Sequence, residues 1–109
     1  YYYNPFDHSL NQLANSDNVA FFSHINEIVD ATNATIIWFV AHSGRTSAKY
    51  EESISLIWRD AGALINSIQL VCAAIKINSC PVGSLGEPFI SDFFNSQSDI
   101  FGCGGLLIG

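Results

Sequence analysis

The chain has 109 residues, of which 49% are hydrophobic and 13% are charged, and this length is typical of one domain. The composition excludes intrinsic disorder, which requires few apolar residues and many charged ones. With 10 acidic and 4 basic residues, the formal net charge is −6. This charge argues against nucleic acid or anionic membranes as partners, because Lys and Arg provide most of the attraction to both.

The N-terminal segment over 1–6 is apolar and begins with three aromatic residues, Tyr1, Tyr2 and Tyr3. We expect residues 5–16 to form a short helix. Asp17 is a candidate N-cap for the helix that follows, because its carboxylate can accept hydrogen bonds from amides of a first turn. The sequence contains no methionine. We therefore expect a processed or trimmed chain from which any signal peptide has been removed.

A first long helix is predicted over about 17–42. Apolar side chains and one threonine recur there at steps of three and four, which places them on one helical face: Phe22, Ile25, Val29, Thr32, Ile36 and Phe39. His42 lies at the C-terminus of this helix, where cations are favoured. The β-branched and aromatic run over 36–40 is also compatible with a buried strand, and the sequence leaves open whether residues 34–42 are helix or strand.

A second long helix is predicted over 51–78. Its apolar positions alternate steps of three and four without a break, as in a heptad seam: Ile54, Ile57, Ala61, Leu64, Ile68, Val71 and Ile75. Glu51 and Glu52 lie at its N-terminus, where the helix dipole favours anions. Pro81 prevents the helix from continuing much beyond residue 78.

These patterns predict an all-α fold: a small helical bundle built on a long antiparallel helical hairpin, about 17–42 and 51–78. Shorter flanking helices over 5–16 and 88–96 would cover the apolar faces of the hairpin. We expect one helical domain over 1–109 with a Gly-rich C-terminal segment over 98–109. No membrane span is expected, because a span needs about 20 mostly apolar residues and three polar ones interrupt the best segment: Asn66, Gln69 and Lys76.

The chain contains three cysteines: Cys72, Cys80 and Cys103. Their spacing matches no zinc motif, so no metal site is expected. An odd number of cysteines in an exported chain suggests one disulfide and one further thiol. Cys80 and Cys103 are the candidate pair, because both lie outside the two predicted long helices. The alternative is a cytosolic protein in which all three thiols are reduced.

No pattern in the sequence predicts an enzyme or a cofactor site. The segment over 83–86 lacks one residue of the G-x-S-x-G nucleophile elbow. The segment over 102–105 resembles a phosphate loop in composition alone, since no helix can follow it within the sequence. His24 and Glu27 share a helical face, but they occur once and in the reverse of the order found in di-iron bundles.

Apolar residues cluster at both ends of the chain, and such clusters often mark contacts with another surface. The candidate interface residues are Tyr1, Tyr2, Tyr3, Leu106, Leu107 and Ile108. Our first hypothesis is a non-enzymatic secreted protein that acts through protein–protein contact, by self-association into a dimer or larger oligomer. A first alternative is a carrier of a small apolar ligand in a cavity lined by Phe22, Trp38, Phe39 and Trp58. A second alternative is a secreted effector or toxin.

Overall fold

The computed structural model describes residues 1–12, 18–95 and 97–109. Within these residues the chain forms five strands and four helices: β1 (Tyr2–Asn4), β2 (Ser9–Asn11), α1 (Asn18–Ile28), β3 (Thr35–His42), α2 (Ser43–Ser47), α3 (Ser53–Ala74), β4 (Ser79–Val82), α4 (Phe89–Phe93) and β5 (Ile100–Ile108). Strands β1 and β2 pair as a hairpin, and the other three form an antiparallel sheet in the order β3-β5-β4. The prediction of an all-α bundle is therefore wrong, because the fold is mixed α/β.

The predicted helix over 17–42 is wrong in its second half, where the structure has a strand. Helix α1 ends at Ile28 and β3 follows after a turn. In that turn the carboxylate of Asp30 accepts hydrogen bonds from the backbone amide and the hydroxyl of Thr32. The β-branched and aromatic run over 36–40 suits a pleated, half-buried surface. The strand alternative was therefore correct, and the regular spacing across both elements was a coincidence.

The N-terminal region also differs from the prediction. Residues 5–16 were expected to be helical, but β1 and β2 form a hairpin over Tyr2–Asn11. Its turn is held by the side chains of Asn4 and Asp7, which accept hydrogen bonds from the amides of Phe6 and Ser9. The candidate N-cap Asp17 lies outside the described residues.

The prediction of a helix over 51–78 is confirmed for Ser53–Ala74, which is α3. The helix ends where Lys76 takes a positive φ of 61° and the amide of Ile77 donates to the carbonyl of Cys72. Pro81 lies in the short edge strand β4, a place in a sheet where proline is tolerated. The predicted short helix over 88–96 is present as α4.

The centre of the sheet is β5, which the sequence analysis assigned to a Gly-rich terminal segment. Strand β5 pairs with β3 on one side and β4 on the other. Its Leu106 side chain is fully buried, and residues 102–107 are all buried. A short apolar run of this kind is typical of a strand covered on both faces. Leu106 and Leu107, which were predicted to be part of an interface, thus belong to the core of this chain.

Helices cover both faces of the sheet. On one face Ile25 of α1 packs into a buried cluster with Ala31, Val82 and Leu107. Helix α3 packs on the opposite face, where the ring of Trp58 lies 5.9 Å from that of Phe101 in β5. The side chains of successive residues in a strand point to opposite faces of the sheet, so Leu106 and Leu107 pack on opposite faces.

Trp38 of β3 packs against glycine residues of β5 and of the loop before α4. Its Nε1 donates a hydrogen bond to the carbonyl of Leu85 at 3.3 Å. A Cβ at Gly105 would lie 2.6 Å from the indole, and a Cβ at Gly86 would lie 2.7 Å from it. Gly86 also has a φ of +80°, which L side chains rarely adopt. The indole therefore holds the loop that contains Leu85 and Gly86 against the sheet. A residue with a Cβ does not fit at Gly86 or Gly105, because that Cβ would overlap the indole.

Replacing Gly62 with alanine is expected to stabilise the chain. Gly62 lies in the middle of α3, and nothing lies within 4 Å of the Cβ that the substitution adds. The expected gain is about 0.5–1 kcal/mol in the free energy of unfolding, because alanine loses less backbone entropy than glycine in a helix. Urea denaturation of Gly62→Ala and of the unmodified chain measures this difference. An unchanged or lower midpoint would contradict the placement of Gly62 in an open helix interior.

Candidate interaction surface

The largest regular element, α3, leaves part of its apolar seam uncovered. Within Ser53–Ala74 the buried residues are Ser53, Ile57 and Cys72. Towards the end of the helix and at its C-cap residue, exposed and half-buried apolar side chains follow at steps of four, three and four, so they share one face: Leu64, Ile68, Val71 and the C-cap Ile75. Leu64 is 49% exposed, and Val71 and Ile75 are each 59% exposed. We call these four residues the α3 seam.

The N-terminal hairpin is a second exposed apolar feature. Tyr1, Tyr2 and Tyr3 are all exposed, and Phe6 at the hairpin turn is 94% exposed. The hydroxyl of Tyr3 and Nδ1 of His8 lie 2.6 Å apart, within hydrogen-bond distance. The tyrosines predicted as interface residues are therefore accessible on this chain.

The C-terminal half of the predicted interface is placed differently. Leu106 and Leu107 are buried inside the sheet, and Ile108 is half-buried at the end of β5. These side chains contact the rest of their own chain, so they offer no accessible apolar cluster. The structure thus separates the predicted interface into three exposed N-terminal tyrosines and a C-terminal group in which Leu106 and Leu107 are part of the core.

The four aromatic residues predicted to line a ligand cavity are not brought together. Trp38 and Phe39 are consecutive in β3 and point to opposite faces of the sheet. Phe22 of α1 is exposed, and Trp58 of α3 lies against Phe101. Two open depressions beside the start of β3, of ≈ 190 and ≈ 180 Å³, are lined by other residues.

The predicted disulfide between Cys80 and Cys103 is absent, and all three cysteines are free. In the register of the sheet Cys80 lies opposite Leu107, and Leu107 is four residues further along β5 than Cys103. At about 3.3 Å per residue, Cys80 and Cys103 are therefore about 13 Å apart along the strand direction, well beyond the span of a disulfide. Burial raises the pKa of the Cys103 thiol, which makes it a poor nucleophile, whereas Cys80 is exposed.

One polar pair that the sequence analysis missed lies at the end of β3. Nδ1 of His42 is 3.1 Å from Oδ2 of Asp99, although the two are not aligned as a hydrogen bond. The backbone amide and the hydroxyl of Ser43 both donate to the carbonyl of Asp99. The Ser43 hydroxyl is thus held by the main chain and not by the imidazole. The cluster joins the end of β3 to the start of β5, and no local sequence pattern links residues so far apart.

The His24–Glu27 pattern has a packing role at its histidine. The imidazole of His24 lies 5.6 Å from the ring of Phe89 in α4, at a tilted angle. Within the described residues no group of three or more His, Cys, Asp or Glu side chains is arranged to hold a metal ion.

No protein-family model, curated protein or solved structure shows significant similarity to the chain. Among the helices of the described residues, none combines the length and apolar character needed to cross a bilayer. Of the exposed apolar surface described above, the α3 seam is the most regular part.

Proposed function

We propose that this chain is a non-enzymatic protein that acts through protein–protein contact, by self-association into a dimer or larger oligomer. The observation that carries the proposal is the α3 seam, a regular apolar stripe on the longest helix that the chain itself leaves exposed. Soluble monomers rarely expose contiguous apolar patches larger than a few hundred Å², and larger patches often mark a protein contact.

A second copy of the chain is the partner that fits the α3 seam. The steps of four, three and four along the α3 seam are the same in both directions. In an antiparallel pair of α3 helices centred between Gln69 and Leu70, Leu64 of each copy therefore lies at the level of Ile75 of the other, and Ile68 lies at the level of Val71. The seam of each copy then faces the seam of the other.

Replacing Leu64 with glutamate is expected to reduce the size of the assembly. The new carboxylate would have to be buried against an apolar surface in the associated state, which is strongly unfavourable without a partner charge. Size-exclusion chromatography with light scattering gives the mass directly. The unmodified chain is expected to exceed the monomer mass of 11.9 kDa, and Leu64→Glu is expected to give a smaller assembly.

Asn66→Glu is the matched control. Asn66 is exposed on the same helix, about 200° around the axis from Leu64, and its substitution adds the same charge. We expect Asn66→Glu to keep the mass of the unmodified chain. Equal masses for Leu64→Glu and the unmodified chain would contradict the α3 seam as a contact surface.

Export of the chain stays a prediction. It was inferred from an odd number of cysteines in a chain expected to be processed, and the disulfide that it anticipated is not formed. The proposed contact depends on the surface of α3 and not on an oxidised cysteine. We therefore expect the mass of the assembly to be the same with and without a reducing agent.

A further inference from the structure

The turn between α1 and β3 carries an Asn-x-Thr triplet formed by Asn33, Ala34 and Thr35. No other asparagine of the sequence has a serine or threonine two residues later, and the middle residue here is not proline. This triplet is the acceptor pattern for N-linked glycosylation of exported proteins, in which the modified asparagine lies on the surface. Such short triplets also occur by chance, so the place of this one in the fold decides whether it can carry a glycan.

The fold exposes both residues that the modification requires. Asn33 lies in the turn and Thr35 is the first residue of β3, and both are exposed. Ala34 between them is half-buried and packs against the buried cluster that contains Ile25. The triplet therefore alternates outward, inward and outward, as successive side chains of an extended segment do. The amide of Asn33 and the hydroxyl of Thr35 are thus both accessible from the solvent.

Other side chains hold the turn in place. The carboxylate of Asp30 accepts hydrogen bonds from the amide and the hydroxyl of Thr32, and Oδ1 of Asn26 accepts one from the amide of Ala31. Among the described residues, none forms a hydrogen bond with the side chain of Asn33. The turn therefore does not depend on the group that a glycan would modify.

Space for a bulky group lies beside Asn33. An open depression of ≈ 190 Å³ is lined by Asp30, Asn33, Ala34 and Gly109. A sugar attached to the Asn33 amide extends into this depression and into solvent, and no packed side chain has to move to admit it.

We propose that Asn33 is an N-glycosylation site, which carries an oligosaccharide when the chain is exported. The exposed triplet, the turn that other residues hold and the open space beside Asn33 all support this site. The proposal goes beyond self-association, because Asn33 lies outside the α3 seam. It concerns the exported chain that the sequence predicts.

The donor for this modification is an oligosaccharide linked to a lipid through pyrophosphate, and a transferase of the host catalyses the step. The side-chain amide nitrogen of Asn33 forms a bond to the anomeric carbon of the first sugar. The bond between that carbon and the pyrophosphate oxygen breaks, and the lipid pyrophosphate leaves. The amide nitrogen loses one proton, and no oxidation or reduction takes place.

The test is expression of the 109-residue chain behind a cleavable secretory leader in animal cells. We expect the leader-free chain, measured under denaturing conditions, to exceed 11.9 kDa and to return to that mass after treatment with a peptide N-glycanase. The glycanase leaves an aspartate wherever it removes a glycan, and peptide mass spectrometry is expected to find this conversion at Asn33. A leader-free chain without a glycan would overturn the proposal.

Three substitutions test whether the triplet is the acceptor. Asn33→Gln and Thr35→Val are each expected to abolish the glycan, since the first moves the amide and the second removes the hydroxyl while keeping a β-branched residue in β3. Thr35→Ser keeps the hydroxyl and is expected to keep the glycan. A glycan that persists in Asn33→Gln would lie elsewhere on the chain and would overturn the proposal.

Asn66→Gln is the matched control. Asn66 is exposed, and the residue two positions later is Ile68, so no acceptor triplet is present there. We expect this variant to keep the glycan of the chain without substitutions. Light scattering of the glycanase-treated chain tests the α3 seam separately, so a failure of self-association leaves the result for Asn33 unchanged.

Urea denaturation of chains made in bacteria without glycosylation tests the accessible placement of Asn33. Asn33→Gln is expected to have the same denaturation midpoint as the chain without substitutions, because the Asn33 side chain is exposed and has no hydrogen bond within the described residues. A clearly lower midpoint would assign Asn33 a role in holding the turn and would overturn the placement on which the proposal depends.

Discussion

Gly102→Ala is expected to destabilise the fold strongly. The added Cβ would be placed on the carbonyl oxygen of Leu85 and would lie 3.2 Å from Nε1 of Trp38. Neither neighbour can move easily, since the same carbonyl accepts the hydrogen bond of the Trp38 indole. We expect a loss of about 3 kcal/mol or more in the free energy of unfolding, at or above the upper end of the range for overpacked cores. Urea denaturation and the soluble yield measure the effect.

Gly83→Ala is the control for this substitution. Gly83 lies in the loop that contains Leu85, and nothing lies within 4 Å of the Cβ that would be added at Gly83. Its expected effect on the free energy of unfolding is within about 0.5 kcal/mol, as for exposed positions without special contacts. Similar denaturation midpoints for Gly102→Ala and Gly83→Ala would show that the loop does not pack on β5 as described.

Helix α3 was predictable because its apolar pattern is long and unbroken and is therefore specific to one period. The helical spacing of apolar residues over 22–39 was less specific for a helix. Phe22 and Ile25 belong to α1 and Ile36 and Phe39 to β3, and the turn between these elements happens to preserve the helical spacing. The β-branched residues of β3 favoured a strand, whereas the spacing of the apolar residues favoured a helix.

The role of β5 depends on contacts between distant parts of the chain. Gly102 and Gly105 suggest a flexible tail when they are considered alone, but they are small because Trp38 packs against them. A sequence does not show which aromatic side chain will pack against which glycine of a neighbouring strand. The central position of β5 was unpredictable for the same reason, because the order of the strands in the sheet depends on contacts between distant parts of the chain.

The α3 seam was partly predictable. The spacing of Ile57, Leu64 and Val71 assigns them to one stripe, and the sequence analysis identified that stripe. Which of its members are covered depends on how the helix crosses the sheet. Ile57 is buried there, whereas Leu64 and Val71 are exposed. The exposed part of the stripe is the candidate contact, and tertiary packing alone distinguishes it from the core.

Leu106→Ala is expected to lower the stability of the single chain by about 2–5 kcal/mol, the usual cost of truncating a fully buried leucine. Leu106 is 0% exposed in the central strand, so the substitution leaves a cavity between the sheet and its cover. The measurement is the free energy of unfolding at a protein concentration where the chain is monomeric. Leu70→Ala is the control, because Leu70 is 64% exposed on α3 and its truncation leaves no cavity.

The same variant separates a core residue from an interface residue. If Leu106 acts in the core, Leu106→Ala destabilises the monomer to the same extent at every protein concentration. If Leu106 were part of a contact between copies, the monomer would keep its stability and the assembly would become smaller. The burial of Leu106 and Leu107 within β5 favours the first result. The self-association that we propose then depends on exposed surface such as the α3 seam, and β5 supports that surface from within the fold.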